Sequence, residues 1–202
     1  MPRNPSAAVA RAAAAAPRLR LHGIEAKAAV LTTAYATLAA ELDPLLAEGP
    51  DIAILVGVAG RSSKVRVEKR ATARRSMLFA DQRGEVPVRP EAPATAHAAP
   101  VRLARVDTGA AMRSLRRRGL PARCSRDAGR YLCNAAYFRA LGRPAPTLFI
   151  HIPKRPAARP GRAGHPRLVG GRWQAALAAA LADIAIGLQP PARRVVCATP
   201  FR

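Results

Sequence analysis

Two runs of mostly apolar residues constrain the fold of this chain more than any other feature of its sequence. The first covers 52–58 and reads Ile-Ala-Ile-Leu-Val-Gly-Val, and the second covers 147–152. Turn-forming residues bound the first run, which is typical of a strand buried on both of its faces. Such strands occur in parallel sheets with helices on both sides. The two runs therefore predict central strands of an α/β fold, adjacent to any site that the fold carries.

Segments with helical signatures alternate with these strands. In 35–48, for example, leucines recur at helical spacing and Gly49-Pro50 ends the helix. This alternation predicts a single α/β domain over 1–202, with a mostly parallel sheet flanked by helices. The other predicted helices cover 7–16, 108–118, 128–141 and 173–188, the short strands cover 18–22, 28–32 and 121–125, and irregular Pro-rich loops cover 86–100 and 153–168.

Length and composition narrow the class of protein. A chain of 202 residues fits one core of ordinary size. Its three cysteines are too few and odd in number for a disulfide scaffold, so we expect thiols in a reducing compartment. No window of eighteen apolar residues predicts a membrane span, and the run Ala12–Ala16 is too weakly hydrophobic for a secretory signal. These features predict a cytoplasmic location and no membrane partner.

The charge of the chain suggests an alternative function. Basic residues number 34 and acidic residues 12, which gives a net charge of +22. Such a balance is typical of proteins that bind nucleic acid or another polyanion. However, the arginines are scattered, and the densest cluster, at 113–118, has no aromatic neighbours on which bases could stack. A basic, non-catalytic binding protein on the same fold therefore remains an alternative, and nucleic acid is not the expected partner.

Cys133 is a candidate nucleophile. If Gly129 and Arg130 form a turn, Cys133 lies in the first turn of the helix that follows. Unpaired backbone N–H groups at a helix start lower the pKa of a thiol and can also stabilise an oxyanion. A buried, inert cysteine is the alternative interpretation.

His151 and Glu68 are candidate partners of this thiol. His151 follows three apolar strand residues, where it could act as a general base or be a histidine satisfied within the core. Glu68 ends an alternating segment, where it could orient the imidazole or pair with one of the many arginines. The three residues taken together favour a Cys-His-Glu triad over three separate structural roles.

The remaining cysteines and histidines indicate no second site. Cys124 lies in a predicted strand and Cys197 near the end of the sequence. No Cys/His spacing matches a zinc site, and Gly57 with Gly60 is too weak a pattern for a phosphate-binding loop. We therefore expect no metal and no organic cofactor.

The residues around these three side chains resemble the pyroglutamyl peptidase I family, also called pyrrolidone-carboxylate peptidases. That family has a motif like Ser-x-x-Ala-Gly-x-Tyr-x-Cys-Asn, a segment like Phe-Ile-His-Val-Pro, and an acidic segment like Gly-x-Ala-Gly-Gly-Arg followed by Val-Glu-Arg-Val-Ala. The resemblance spans most of the chain. It implies a homo-oligomeric cysteine peptidase that removes N-terminal pyroglutamate from peptides, with Glu68, Cys133 and His151 as catalytic residues. The matching residues are Gly57, Ala59, Gly60, Val67, Glu68, Ala71, Ser125, Ala128, Gly129, Tyr131, Cys133, Asn134, Phe149, Ile150, His151 and Pro153.

The chain also departs from the family pattern. Family members begin with a strand and a Phe- and Gly-rich loop that lines the pyroglutamyl pocket, whereas Met1 here stands just before Asn4-Pro5-Ser6. Either the start of the chain is misassigned and this loop lies upstream, or the chain is a divergent member of the family. For the 202-residue form we expect a vacant sheet position, a pocket open on one side, and weak or absent activity. The resemblance further implies that Phe79, Tyr131, Leu132 and Thr33 are the substrate-binding residues.

Overall fold

The computed structural model describes residues 4–74, 78, 80–86, 100–154 and 171–188. These residues form an α/β fold with a four-stranded sheet and a separate two-stranded ribbon. Helices cover both faces of the sheet, as the alternating sequence pattern predicts. In chain order the elements are α1 (Pro5–Ala14), α2 (Pro17–Leu21), α3 (Tyr35–Ala47), β1 (Ala53–Ala59), β2 (Val65–Glu68), β3 (Arg70–Thr72), β4 (Val101–Leu103), α4 (Thr108–Arg117), β5 (Ala122–Ser125), α5 (Leu132–Ala140), β6 (Thr147–Pro153) and α6 (Gly171–Leu188).

The sheet has the strand order β1-β6-β2-β5 and is mostly parallel. β1 pairs in parallel with β6, and β2 pairs in parallel with β5, whereas β2 and β6 are antiparallel. β6 is central and completely buried, as expected. β1 was expected to be central as well, but it pairs only with β6 and lies at the edge of the sheet that these residues form. Its residues are accordingly half-buried, apart from the buried Gly57.

The two faces of the sheet carry different helices. Val67 and Ile150 point to the face covered by α1, α4 and α6, where they belong to the largest apolar cluster. Their chain neighbours Glu68, Phe149 and His151 point to the opposite face, because side chains alternate along a strand. That second face is covered by α3 and α5. The polar candidates on β2 and β6 therefore lie under α5, which carries Cys133.

Three predicted elements differ in the structure. The segment 18–22 was predicted as a strand but forms most of helix α2, because Pro17 begins a helical turn that buries Leu19. The segment 28–32 was also predicted as a strand, yet it is mostly exposed and forms no strand pairing. Helix α5 was predicted from 128 but begins at Leu132, because Gly129 has φ +84° and Tyr131 is extended.

Parts of the sequence-based predictions fall outside the described residues. The predicted loops at 86–100 and 153–168 lie there except at their ends, and a single domain over 1–202 stays a prediction. Within the described ranges, no helix combines the length and the apolar character needed to cross a membrane.

Candidate active site

Glu68 and His151 meet on the sheet face beneath α5. Antiparallel pairing of β2 with β6 places Glu68 beside Phe149 and within reach of His151, two residues further along β6. His151 Nδ1 lies 2.9 Å from Glu68 Oε1, and both side chains are buried. A carboxylate oxygen can only accept, so Nδ1 donates and the other ring nitrogen, Nε2, is left as a proton acceptor. The pair thus leaves His151 Nε2 free of the bond to Glu68, as the predicted role of general base requires.

The thiol of Cys133 lies above Gly57 on the same face. Gly57 is the β1 neighbour of His151 in the sheet register. A Cβ added at Gly57 would stand 2.8 Å from Cys133 Sγ and 2.9 Å from Phe149 Cζ. Phe149 in turn packs against the imidazole, with 4.7 Å between ring centroids. The sulfur is therefore one strand away from His151, and the structure brings all three predicted catalytic residues together.

The start of α5 lies beside this sulfur. Cys133 is the second residue of the helix, as the sequence predicts. Tyr131 at the N-cap makes no side-chain cap, and the hydrogen bond from Ala135 N to Tyr131 O is 3.1 Å long. Backbone N–H groups in the first turn lack helical partners and can bind a negatively charged oxygen.

The resting state of the Cys133 thiol differs from the sequence-based expectation. A helix N-terminus was expected to lower its pKa, but burial raises the pKa of Cys133 to about 11. The charge of Arg66 and the backbone N–H of Cys133 itself lower the pKa, and the charge of Glu68 raises it. No hydrogen bond joins the sulfur to the imidazole in this structure. The thiol is therefore protonated at rest, and a base must take its proton before it can attack.

Arg66 completes this group of side chains, and the sequence analysis did not single it out. It is the β2 neighbour of His151, and its Nη2 lies 3.3 Å from His151 Nδ1. Its Nε lies 3.2 Å from Glu68 Oε1. Side chains alternate along β2, so Arg66 lies on the same face as Glu68, and this alternation could have identified Arg66 from the sequence. Arg66 did not stand out because the chain contains thirty arginines.

The predicted substrate-binding residues have different surroundings. Tyr131 donates from its hydroxyl to the carbonyl of Ala80 at 3.1 Å, and burial raises its pKa. The carbonyl of Thr33 accepts from Gln82 N at 3.1 Å, so both residues hold the segment 80–86. Leu132 is buried in the apolar cluster between α3 and α5. Phe79 lies outside the described residues, and contact of these side chains with substrate stays a prediction.

Asn134, next to the candidate nucleophile, fastens α5 to the ribbon strand β3. Its Oδ1 accepts from Thr72 N at 2.9 Å, and its Nδ2 donates to Thr72 O at 2.8 Å and to Arg74 O at 3.1 Å. The side chain is buried, so all of these bonds are shielded from water. The amide following the cysteine therefore fixes the position of the helix start that carries the thiol.

Cys124 has surroundings unlike those of Cys133. Its sulfur lies 3.7 Å from Thr108 O and 3.9 Å from Met112 Sδ, at the packing of α4 on β5. Cys197 lies outside the described residues. Among the residues that the structure describes, no group of three or more His, Cys, Asp or Glu side chains could hold a metal ion.

Comparisons with known proteins show which family and fold this chain resembles. A family model described as "Pyroglutamyl peptidase" matches residues 4–186. The pyrrolidone carboxyl peptidase from Thermococcus litoralis superposes with a TM-score of 0.71 and 26% identity, over 91% of this chain and 86% of that one. The structure from Thermus thermophilus gives a TM-score of 0.67 and 27% identity, over 90% of this chain and 92% of that one. The class that the fold defines is the α/β fold of these pyrrolidone carboxyl peptidase structures.

Curated relatives place the chain within that class. The pyrrolidone-carboxylate peptidase of Chromobacterium violaceum is 36% identical over 108 residues, which is 53% of this chain and 50% of the relative. That of Gloeobacter violaceus is 33% identical over 148 residues, which is 68% of this chain and 69% of the relative. The chain thus spans about half the length of the first relative that it matches. It belongs to the pyroglutamyl peptidase family.

Proposed function

We propose that this protein is a cysteine peptidase that removes an N-terminal pyroglutamyl residue from peptides. The observation that carries the proposal is the convergence of Glu68, Cys133 and His151 on one face of the sheet in a member of this family. Cys133 is the nucleophile, His151 is the general base and acid, and Glu68 orients the imidazole.

The reaction begins with a proton transfer. His151 Nε2 takes the thiol proton, and the thiolate attacks the carbonyl carbon that links pyroglutamate to the next residue. The C–N bond then breaks while the imidazolium gives its proton to the leaving amine. A thioester remains on Cys133, and water activated by His151 hydrolyses it to free pyroglutamate and a thiol. Glu68 stabilises the imidazolium that exists during both steps.

The start of α5 supports the charge that develops on the substrate. In the tetrahedral intermediates the former carbonyl oxygen is negatively charged. Cys133 is the second residue of α5, and N–H groups in the first turn of a helix have no partner within the helix. One such donor contributes about 3 kcal/mol to the transition state in other acyl-transfer enzymes. A pyroglutamyl ring is compact and neutral, which suits the apolar neighbourhood of Phe149 and Tyr131.

The proposal also covers the compartment and the oligomeric state of the enzyme. A thiol nucleophile suits a reducing compartment, and we place the protein in the cytoplasm on that ground. We also propose a homo-oligomer: an open strand edge favours pairing with another chain, and among the described strands β1 pairs only with β6. Multi-angle light scattering on the purified chain tests the oligomer.

A chromogenic pyroglutamyl anilide tests the proposed activity. The wild-type chain should release the chromophore, and Cys133→Ala should reduce kcat/KM by at least about 10³-fold because the covalent step is lost. Cys124→Ala is the matched control, since it removes a thiol that contacts Thr108 and Met112 instead of His151. It should keep nearly full activity.

Two results of this assay would contradict the proposed activity or the role of Cys133. Absence of turnover by the folded wild-type chain at high enzyme concentration would contradict the proposed activity. Equal loss in both cysteine variants would show that the chemistry does not depend on the thiol at Cys133. An alanyl or prolyl anilide should be cleaved far more slowly, because neither offers the lactam ring.

A further inference from the structure

The contacts of Arg66 place a permanent positive charge inside the catalytic group. Gly57, His151 and Arg66 form one row across β1, β6 and β2, with Cys133 above the first member of the row. The imidazole therefore lies between the thiol on one side and the guanidinium with Glu68 on the other. Arg66 is only 21% exposed, so its charge is weakly screened by water.

The geometry shows that Arg66 acts through charge. His151 Nδ1 already donates to Glu68 Oε1, so the N–H of Arg66 Nη2 cannot donate to Nδ1 as well. Arg66 Nε and Glu68 Oε2 are buried without a hydrogen-bond partner, although Nε lies 3.2 Å from Oε1. Arg66 thus forms an ion pair with Glu68 and leaves the hydrogen bond to the imidazole intact.

A count of charges indicates what this ion pair does. When the proton has moved from the thiol to the imidazole, Cys133 and Glu68 are negative and His151 is positive. Without a fourth charge this buried group would carry a net negative charge, which is costly away from water. With the guanidinium present, two positive and two negative charges alternate and cancel.

We propose that Arg66 is the counterion that makes the reactive thiolate–imidazolium state of the active site electrically neutral. It is a positioning and charge-compensating residue, since it acts through Glu68 and His151 and not on the substrate. The inference rests on the proposed function for its catalytic meaning, but the ionisation of the thiol can be measured without any substrate.

The other charged groups around Cys133 do not supply this compensation. β2 contributes Arg66 and Glu68, β6 contributes His151, and α5 with its N-cap contributes Tyr137 and Tyr131. Burial raises the pKa of both tyrosines, so both are neutral over the working range of pH. Within the described residues, Arg66 is the group whose charge lowers the pKa of the Cys133 thiol, against the raising effects of burial and Glu68.

Alkylation of the folded chain by iodoacetamide provides the test. The rate is followed against pH by mass spectrometry of the tryptic peptide 131–139, which contains Cys133 and no other cysteine. Arg66→Gln should move the profile to higher pH by about one unit, which slows alkylation about tenfold at a fixed pH below the midpoint. Arg66→Lys keeps the charge and should restore most of the wild-type profile.

A double variant separates charge from structure. Adding Glu68→Gln to Arg66→Gln also removes the negative charge of the carboxylate. The alkylation profile of the double variant should therefore move back towards that of the wild type. A purely structural role would make the double variant worse than either single variant. Arg123→Gln is the matched control, because Arg123 is the exposed β5 neighbour of Arg66. It should leave the profile unchanged.

Three outcomes would overturn the inference. These are an unshifted profile in Arg66→Gln, a double variant shifted further to high pH, and an equal shift in Arg123→Gln, which would assign the effect to the overall positive field. Should Arg66→Gln fail to fold, the comparison of wild type, Arg66→Lys and the double variant decides the same question. If the wild type shows no peptidase activity but the alkylation profiles of the variants shift as expected, only the proposed function is refuted.

Discussion

At the scale of single residues, the missing side chain at Gly57 decides where the sulfur of Cys133 can lie. The sulfur occupies the volume that a Cβ would need, 2.8 Å from its ideal position, and Phe149 fills the rest at 2.9 Å. Real Cβ atoms do not approach neighbours so closely. The glycine is required by this close approach and not by its backbone angles, since its φ is not positive.

Gly57→Ala should therefore damage the site and the fold together. The new methyl group must displace either the sulfur or the Phe149 ring, and overpacking of this kind costs about 1–3 kcal/mol. We expect a lower melting temperature and slower alkylation of Cys133. Gly60→Ala is the control, because a Cβ there meets nothing within 4 Å. If Gly57→Ala matches Gly60→Ala in both measurements, the close packing above β1 is not what places the thiol.

Single residues also show how far the sequence could predict the site. Cys133, His151 and Glu68 were singled out because cysteine, histidine and glutamate are uncommon in this chain and each residue was predicted at the end of an element. Arg66 was missed because thirty arginines conceal one that turns inward. The raised pKa of Cys133 was missed for a different reason: burial depends on packing of α5 over the sheet, which local sequence does not specify.

At the scale of elements, the position of α5 depends on its attachment to β3. The buried amide of Asn134 satisfies both the N–H and the C=O of Thr72 and the C=O of Arg74. The hydroxyl of Tyr137, one turn later, donates to the carbonyl of Glu68 at 2.9 Å. The helix is thus fastened to the chain segment that carries Glu68.

Asn134→Asp should destabilise the protein more than Asn134→Ala does. The carboxylate would face the carbonyls of Thr72 and Arg74 with no proton to donate, at a cost of about 3 kcal/mol or more. Burial should also raise the pKa of the new carboxyl, so the loss should be smaller at pH 5 than at pH 8. Thermal denaturation at both pH values measures this difference.

The control for this change is Asn4→Asp. Asn4 accepts from Ser6 N at the exposed start of α1, where a carboxylate accepts equally well and is favoured by the helix dipole. It should leave the melting temperature nearly unchanged. An Asn134→Asp variant as stable as Asn134→Ala would mean that the amide donors contribute nothing to holding β3.

The elements themselves were predicted unevenly from the sequence. Helices α3, α4 and α6 and strands β1, β5 and β6 carry strong periodic or apolar signals, and each was placed within a few residues. The segment 18–22 has an alternating pattern typical of a strand, but Pro17 and the burial of Leu19 make it helix α2. The antiparallel pairing of β2 with β6, which joins Glu68 to His151, has no local signal because register is set by tertiary packing.

At the scale of the whole molecule, arginine–aspartate ion pairs lie on both sides of the sheet. Asp183 on α6 pairs with Arg18 and Arg118, whereas Asp43 on the opposite side pairs with Arg139 and Arg143. Arginines thus cluster around the few acidic residues on different elements. These pairs neutralise four of the arginines, and binding of a polyanion stays an untested prediction.

The net charge of +22 predicts how salt should affect stability. Like charges repel throughout the folded chain, and raising ionic strength from about 0.01 M to 0.1 M shortens the screening length from about 30 Å to 10 Å. The same salt weakens the ion pairs of Asp43 and Asp183, but surface pairs contribute only about 0–1 kcal/mol each. Repulsion should prevail, so the melting temperature should rise as KCl is added over this range.

Replacing the exposed residues Arg20, Arg61 and Arg123 by Gln should raise the melting temperature at low salt and flatten its dependence on KCl. A melting temperature that falls with KCl would show instead that the arginine pairs around the two aspartates outweigh the repulsion of the whole chain.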